Sequence, residues 1–423
     1  MSIGAALYTG VSGLNAMGQE LSVIGNNIAN VNTVGYKGST MNFGDILSQT
    51  LTGLSGTSQV GRGVDVNGVT PVFSQGTFQT TSSSLDLAID GDGFFMVKNN
   101  GATEYTRAGN FQLDQSGNIT TPTGAVLQGY LADATGTVSG QIANLKVLAT
   151  QSAALATSNG TVVVNLNAAD TLPSAAWVSP PVGSTTAPAS NTYNYSTSDT
   201  VYDSLGTAHQ VSVYFEKTAP GWTAHYVYQD PPIAPATVGV YHEAGTQALT
   251  FQPNGTLATG ASSAALAFPW TNGSTAGSIT FNLTGTTQYG SDYAITSIGQ
   301  NGYASGTMSN LTIDDKGVVT GTFTNGQTRT LAQVCLAKFE APTELSKLGD
   351  NMYAQSSSSG QPIVGDPQTS GLGRTLSNTL EMSNVDLATE FTNLISAQRG
   401  FEANTKIITT TDQMLNELIS IKQ

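Results

Sequence analysis

Large apolar residues recur at every seventh position at both ends of the chain. Leu7, Leu14, Leu21 and Ile28 form one column, and Ile3, Met17, Ile24 and Val31 form a second that is broken only by Gly10. Two such columns trace the seam of a coiled-coil-like helix that packs on a partner. At the other end Leu387, Leu394, Phe401, Ile408 and Leu415 make an unbroken column, flanked by Phe391 and Ile419. The pattern predicts helices over 1–32 and 383–423. The first stops where Asn residues and then Gly35 interrupt it. The second starts with a Ser383/Asp386 spacing, in which a hydroxyl accepts from a free backbone N–H and a carboxylate favours the positive helix end.

Intrinsic propensity runs against this periodicity. Gly4, Gly10, Gly13, Gly18 and Gly25 lie in the first helix, each costing about 1 kcal/mol relative to Ala. The second contains Gly400 and the β-branched run 407–411. Glu20 is the sole charged residue of 1–32, whereas a solvated helix normally carries a charged face. Packing of the two helices on each other within one globular domain is one reading. The other is that both ends are disordered in the monomer and fold against neighbouring copies, which supply what local preference does not.

Between the helices the period changes. Residues 33–75 are rich in Gly, Ser, Thr and Asn with little periodicity and read as an extended linker. From 76 onward come short β-prone runs with turn signals, among them Asn99-Asn100-Gly101 and Ser116-Gly117-Asn118. The alternation Val211, Val213, Phe215 marks a later strand. Residues 150–299 are denser in Ala, Ser, Thr and Pro than their flanks, which predicts an inserted outer domain dividing a first β-domain into 76–149 and 300–365. A return linker, 366–382, leads to the last helix. The expected fold is mainly β with terminal helices, and with two antiparallel β-domains, the second inserted in the first.

Composition narrows the function. Charged residues are 10% of the 423-residue chain, hydrophobic residues 39%, and Gly numbers 47, a mixture that suits a turn-rich β protein better than a disordered one. A net charge of −14 leaves no broad basic surface for nucleic acid or anionic membrane. No run of about 18 apolar residues predicts membrane insertion, and no basic then apolar leader predicts a cleaved signal peptide. Cys335 lies in the apolar run LAQVCLAKF and reads as a core residue. His209, His225 and His242 read as surface or partly buried structural residues rather than metal ligands. Asp90-Gly91-Asp92-Gly93 and Asp314-Asp315-Lys316-Gly317 read as turns rather than calcium loops. Nucleotide-binding and hydrolase motifs are missing, so neither an enzyme nor a cofactor is expected.

The run SGLNAMGQELSVIGNNIANVNTVGYK, residues 12–37, closely resembles the N-terminal signature of the flagellar rod and hook family. Three further stretches resemble the same family: 91–99 with 105–130, LGDNMYAQSSSSG at 348–360, and 383–419. Shorter rod members lack so large a middle insertion, and YDSLGTAHQVSVYF at 202–215 resembles a hook-specific segment. The resemblance implies a non-enzymatic, extracellular subunit of a curved helical homopolymer, attached to the basal body and transmitting torque from rod to filament. Its terminal helices would form an inner tube around the export channel, with Leu7, Leu14, Leu21, Ile24 and Ile28 against Leu387, Leu394, Phe401, Ile408 and Leu415. It further implies the distal rod protein, hook cap and hook–filament junction protein as partners. Export would use the flagellar type III apparatus without signal cleavage.

Asn26, Asn27, Asn30, Asn32, Gly35 and Tyr36 match the family signature. The Asn residues are expected to cap the helix and tie it to the linker; a merely polar helix end is the alternative. Phe43 and Leu47 resemble a small hydrophobic export motif, or else anchor the linker. The competing readings of the whole chain are a distal rod subunit, a secreted β-rich adhesin and a secreted glycosidase with paired carboxylates.

Overall fold

The computed structural model describes residues 3–46, 49–53, 56–133, 135–147, 151–181, 183–230 and 239–421. Two long helices, α1 (Ile3–Ala29) and α2 (Leu387–Ile421), enclose a β-rich middle in the sequence. The chain divides into two compact units. The first comprises Met1–Leu148, Asn310–Thr322 and Thr328–Gln423, and the second Ala149–Ser309 and Phe323–Gln327. The expected insertion at 150–299 falls within the second.

In the first unit, neighbouring strands run in the order Val318–Phe323, Thr328–Val334, Val126–Ala132, Phe94–Asn99, Ala102–Thr106, Met352–Ala354 and Ser346–Gly349. Phe94–Asn99 turns directly into Ala102–Thr106 through Asn100 (φ 48°) and Gly101 (φ 92°). Both central residues have positive φ, the twist that a two-residue hairpin requires. Phe94 anchors an aromatic cluster, meeting Phe73, Phe339 and Tyr353 edge-on at 5.3–6.1 Å. Cys335 is fully buried beside it, between the Met96 sulfur and the Gln128 carbonyl. Burial pushes its thiol up to about 12, which makes it an inert core residue.

Two segments expected to be linkers are paired. In 33–75, Ser39–Asp45 pairs antiparallel with Val64–Pro71, and Gln49–Gly53 with Gly56–Val60. In 366–382, Arg374–Ser377 pairs with Leu87–Asp90, and Thr379–Glu381 with Phe78–Thr80. Such buried positions of these strands as Ser39, Thr375 and Glu381 are polar, so hydrophobic alternation does not mark them.

The second unit packs two sheets. One runs Tyr195–Tyr202, Ala208–Lys217, Trp222–Asp230, Val240–Phe251, Leu257–Thr259, all antiparallel. The other centres on Asn159–Asn167, which pairs antiparallel with Ala294–Gln300 but parallel with Gly277–Asn282 and Thr287–Tyr289. The expectation of a wholly antiparallel domain is therefore corrected at this strand. Its run of consecutive buried residues, rather than alternation, is the usual mark of a strand covered on both faces. Val211, Val213 and Phe215 point into the shared core with Trp222, Tyr226, Phe268 and Phe281.

Two of the three histidines also depart from expectation. His209 and His225 are buried, at 2% and 5% exposure, because each stacks on a tryptophan and pairs with carboxylates. His209 Nε2 lies 3.0 Å from Asp203, and His225 bridges Glu216 and Glu243 at 3.1 and 2.9 Å. Burial alone would raise Asp203. Hydrogen bonds from His209, Asn272 and the Thr207 and Leu205 backbone hold it well below the usual carboxylate range. No group of three or more potential metal ligands occurs among the described residues.

Trp177, Trp222 and Trp270 all lie in the second unit, so tryptophan fluorescence reports its unfolding. Phe281 is fully buried and stacks on Tyr226 at 4.8 Å. Phe281→Ala is expected to destabilise this unit by about 3–5 kcal/mol, read as a lowered urea midpoint in that fluorescence.

Candidate functional site

The two terminal helices run antiparallel against each other, and small residues set their distance. A Cβ on Gly10 would meet Ile408 at 3.0 Å, and one on Gly13 would sit 2.6 Å from the Asn404 side chain. Further along, a Cβ on Gly400 would lie 2.9 Å from the Met17 sulfur. Ala16 and Ala397 are both 2% exposed. Gly10, Gly13 and Gly400 thus sit where the partner helix approaches closely, whereas Gly4, Gly18 and Gly25 face open space. Asn404 fills the notch opposite Gly13 while its amide donates to the Gly400 carbonyl at 2.9 Å.

This changes the place of the expected seam residues. Ile24 is buried at 5%. Leu7, Leu14, Leu21, Ile28, Leu394, Phe401, Ile408 and Leu415 are half-buried, and Leu387 is 40% exposed. Most of the heptad residues flank a contact line rich in small residues, while Ile24 is buried and Ile408 meets Gly10 on that line. Spacings such as Gly10, Gly13, Ala16 and Ala397, Gly400, Asn404 were the available signal.

α1 ends at Ala29 in a polar knot. The Asn27 amide donates to the Ser39 carbonyl at 2.9 Å and to Glu390 of α2 at 3.0 Å, while its oxygen accepts from Ser39 N–H at 3.0 Å. Asn26 donates to the Tyr36 hydroxyl at 3.1 Å, and that hydroxyl donates to Asn27 Oδ1 at 3.3 Å. Asn30 donates to the Asn26 carbonyl at 2.9 Å and accepts from Thr33. Asn32 is exposed. Gly35 has φ 68°, and a Cβ there would collide with the backbone of Ala108. At the other helix, the cap is Asp386 rather than Ser383. Asp386 Oδ1 accepts from Thr389 N–H at 2.7 Å, and α2 begins at Leu387, while the Ser383 hydroxyl serves Val385 N–H.

Below this knot lies a buried charge cluster that sequence reading missed. Lys37, fully buried, donates to Glu381 at 2.6 Å and to the Ser74 carbonyl at 2.7 Å. Arg107, 4% exposed, reaches the other Glu381 oxygen at 3.4 Å and the Gly91 carbonyl at 2.9 Å. Gly76 N–H completes the shell of Glu381 at 2.9 Å. Burial pushes the Lys37 ammonium down from its ordinary range, against the pull of Glu381, and acts likewise on Arg107. Lone charged residues 344 positions apart leave no periodic trace.

Phe43 lies in the strand Ser39–Asp45, opposite Val66 and 37% exposed. Leu47 lies outside the described residues.

The order of these parts is matched by known families along the chain. Residues 7–37 match the flagella basal body rod protein family, and 88–167 the flagellar hook protein FlgE/F/G D1 domain. Residues 165–303 match the flagellar basal body protein FlaE D2 domain, and 376–421 the flagellar basal body rod FlgEFG protein C-terminal family. The flagellar hook protein FlgE of Escherichia coli (strain K12) is 36% identical, over 99% of this chain and all of that one. This chain belongs to the flagellar hook protein FlgE family. The FlgE of Borreliella burgdorferi is 34% identical over 99% of both chains, and that of Brucella suis 34% over the whole of both. A solved structure, the Helicobacter pylori flagellar hook protein FlgE2, aligns over 72% of this chain and 100% of that chain at TM-score 0.49 and 15% identity. As a FlgE family member the chain is a structural subunit of the bacterial flagellar hook, and its place is the flagellum.

Removing one partner from a buried ion cluster leaves the others uncompensated, whereas an exposed pair contributes little. Glu381→Gln is expected to destabilise the first unit by about 3–5 kcal/mol, and Lys338→Ala, which breaks the exposed Lys338–Asp92 pair, by under about 1 kcal/mol. Urea unfolding followed by far-UV circular dichroism compares the two.

Proposed function

We propose that this chain polymerises through α1 and α2 into the curved tube of the hook, enclosing the export channel and acting as a universal joint between rod and filament. The observation that carries this is the helix pair. It holds together along a small-residue line yet leaves Tyr8, Val11, Phe391, Ile395, Ile407, Met414 and Leu418 more than two-fifths exposed, far more apolar helix surface than a monomer normally presents. The Leu and Ile columns beside that line, half-buried in one copy, are completed by neighbouring copies. Because both helices are poor in propensity, they gain order on assembly.

The reading is tested on the purified full-length chain by sedimentation, electron microscopy and circular dichroism. Curved tubes are expected, with helical signal rising as polymer forms. Straight tubes would indicate a rod subunit, and an unchanging helical signal would overturn folding on assembly. Deleting residues 383–423 is expected to abolish polymer.

Assembly in place further requires the distal rod protein beneath, the hook cap at the growing end and the junction protein above. Delivery proceeds through the flagellar type III apparatus. Phe43 and Leu47 are proposed as its docking motif, supported by the exposure of Phe43 on a strand rather than in a core. Phe43→Ala is expected to reduce secretion with the cytoplasmic level unchanged. Normal secretion would leave Phe43 as an anchor of the strand pair.

A further inference from the structure

Of the seven uncovered large apolar residues of α2 among the described residues, all but Ile419 fall into two groups. At about 100° per residue, Ala397, Asn404 and Ile408 define the direction facing α1. Leu387, Phe391 and Ile395 lie about 120° to one side of it and all fall in the first third of the helix. Ile407, Met414 and Leu418 lie about 80° to the other side and all fall in the last half. Their exposures run from 40% to 56%. The face between the two groups, opposite α1, carries Thr392, Arg399, Lys406 and Glu417.

We propose that these are two complementary docking ledges, and that the first ledge of one copy seats on the second ledge of the next copy, beside α2 and parallel to it. The proposal rests on the self-assembly reading above and specifies its geometry. The second ledge is a groove in which Ala403, Lys406, Ile407, Thr410, Thr411 and Met414 adjoin Ala6 of α1, so it continues the existing helix contact. Its small residues leave room for a ring, and the first ledge offers Phe391. Among the described residues Lys406 is the one charged residue that lines the groove, and the apolar side chains of each ledge would otherwise remain open to water.

The occupant is a second copy because both halves of the contact are on the same chain, at different places. A contact between unlike surfaces repeats from copy to copy without closing, which generates a filament rather than a dimer. The ledge centres are 22 residues apart, counted between 391 and 413, so docked neighbours are staggered by about 33 Å along the helix. On the polar side the two ledges subtend less than half a turn. Neighbours therefore curve towards that side, and Arg399, Lys406 and Glu417 face the concave interior.

The test uses two full-length variants, Phe391→Glu and Met414→Glu, at sites exposed enough to leave the monomer folded. Matched circular dichroism and tryptophan fluorescence of the variants and the parent check this. Under conditions where the parent forms polymer, each variant alone is expected to stay monomeric in analytical ultracentrifugation. An equimolar mixture is expected to give a one-to-one dimer that does not elongate, since it joins the one intact ledge of each kind and leaves two disabled. Polymer from either variant alone, or a mixture that stays monomeric or elongates, would overturn the proposal while leaving self-assembly intact. A parent chain that forms no polymer under any condition would instead overturn the self-assembly reading itself.

Discussion

The buried cluster of Lys37, Glu381 and Arg107 is the constraint on which the rest of the first unit depends. Lys37 follows α1, Glu381 precedes α2, and Arg107 comes from the sheet, so one carboxylate ties both chain ends to the β framework. Placing three charges out of water is costly, and the arrangement is tolerable only because each is paired and hydrogen-bonded. Ser74 and Gly76 add the returning arm of the paired segment to the same point. The direction in which both helices leave the β structure is therefore fixed at their roots. It does not rely on the weak cohesion of the helices themselves.

That division explains what could be read from the sequence. The helices were legible because large apolar residues repeat, and the insertion because composition shifts. The contact line was not, because a heptad reading follows large side chains, whereas Gly10, Gly13 and Gly400 act by lacking one. Gly35 was visible as a family residue, but its reason is local geometry: positive φ and the Ala108 backbone alongside. The strand pairs of 33–75 and 366–382 were hidden because such buried positions as Ser39, Thr375 and Glu381 are polar and leave no hydrophobic alternation. The charge cluster was hidden because Lys37 and Glu381 are adjacent only in space.

Stability and assembly then draw on different residues. In the β units, cohesion comes from dense aromatic cores, such as Phe94 with its edge-on neighbours or Tyr226 on Phe281, which are complete within one copy. In α1 and α2, the close line of small residues fixes register but buries little apolar area. Most of the large side chains remain available to others. A subunit built this way has a framework that is indifferent to its neighbours and ends that respond to them.

A tube that bends while it rotates must lengthen and shorten each row of subunits once per turn without losing continuity. Continuity requires contacts whose free energy accrues only between copies, a role the proposed assembly gives to the flanking Leu, Ile and Phe side chains of the helices. Compliance requires that a displaced helix be returned to the same register and the same exit angle. Asn404 opposite Gly13 supplies the register, and Glu381 between Lys37 and Arg107 supplies the angle. Neither needs a neighbour, so strain between copies need not be transmitted into the fold of any one of them.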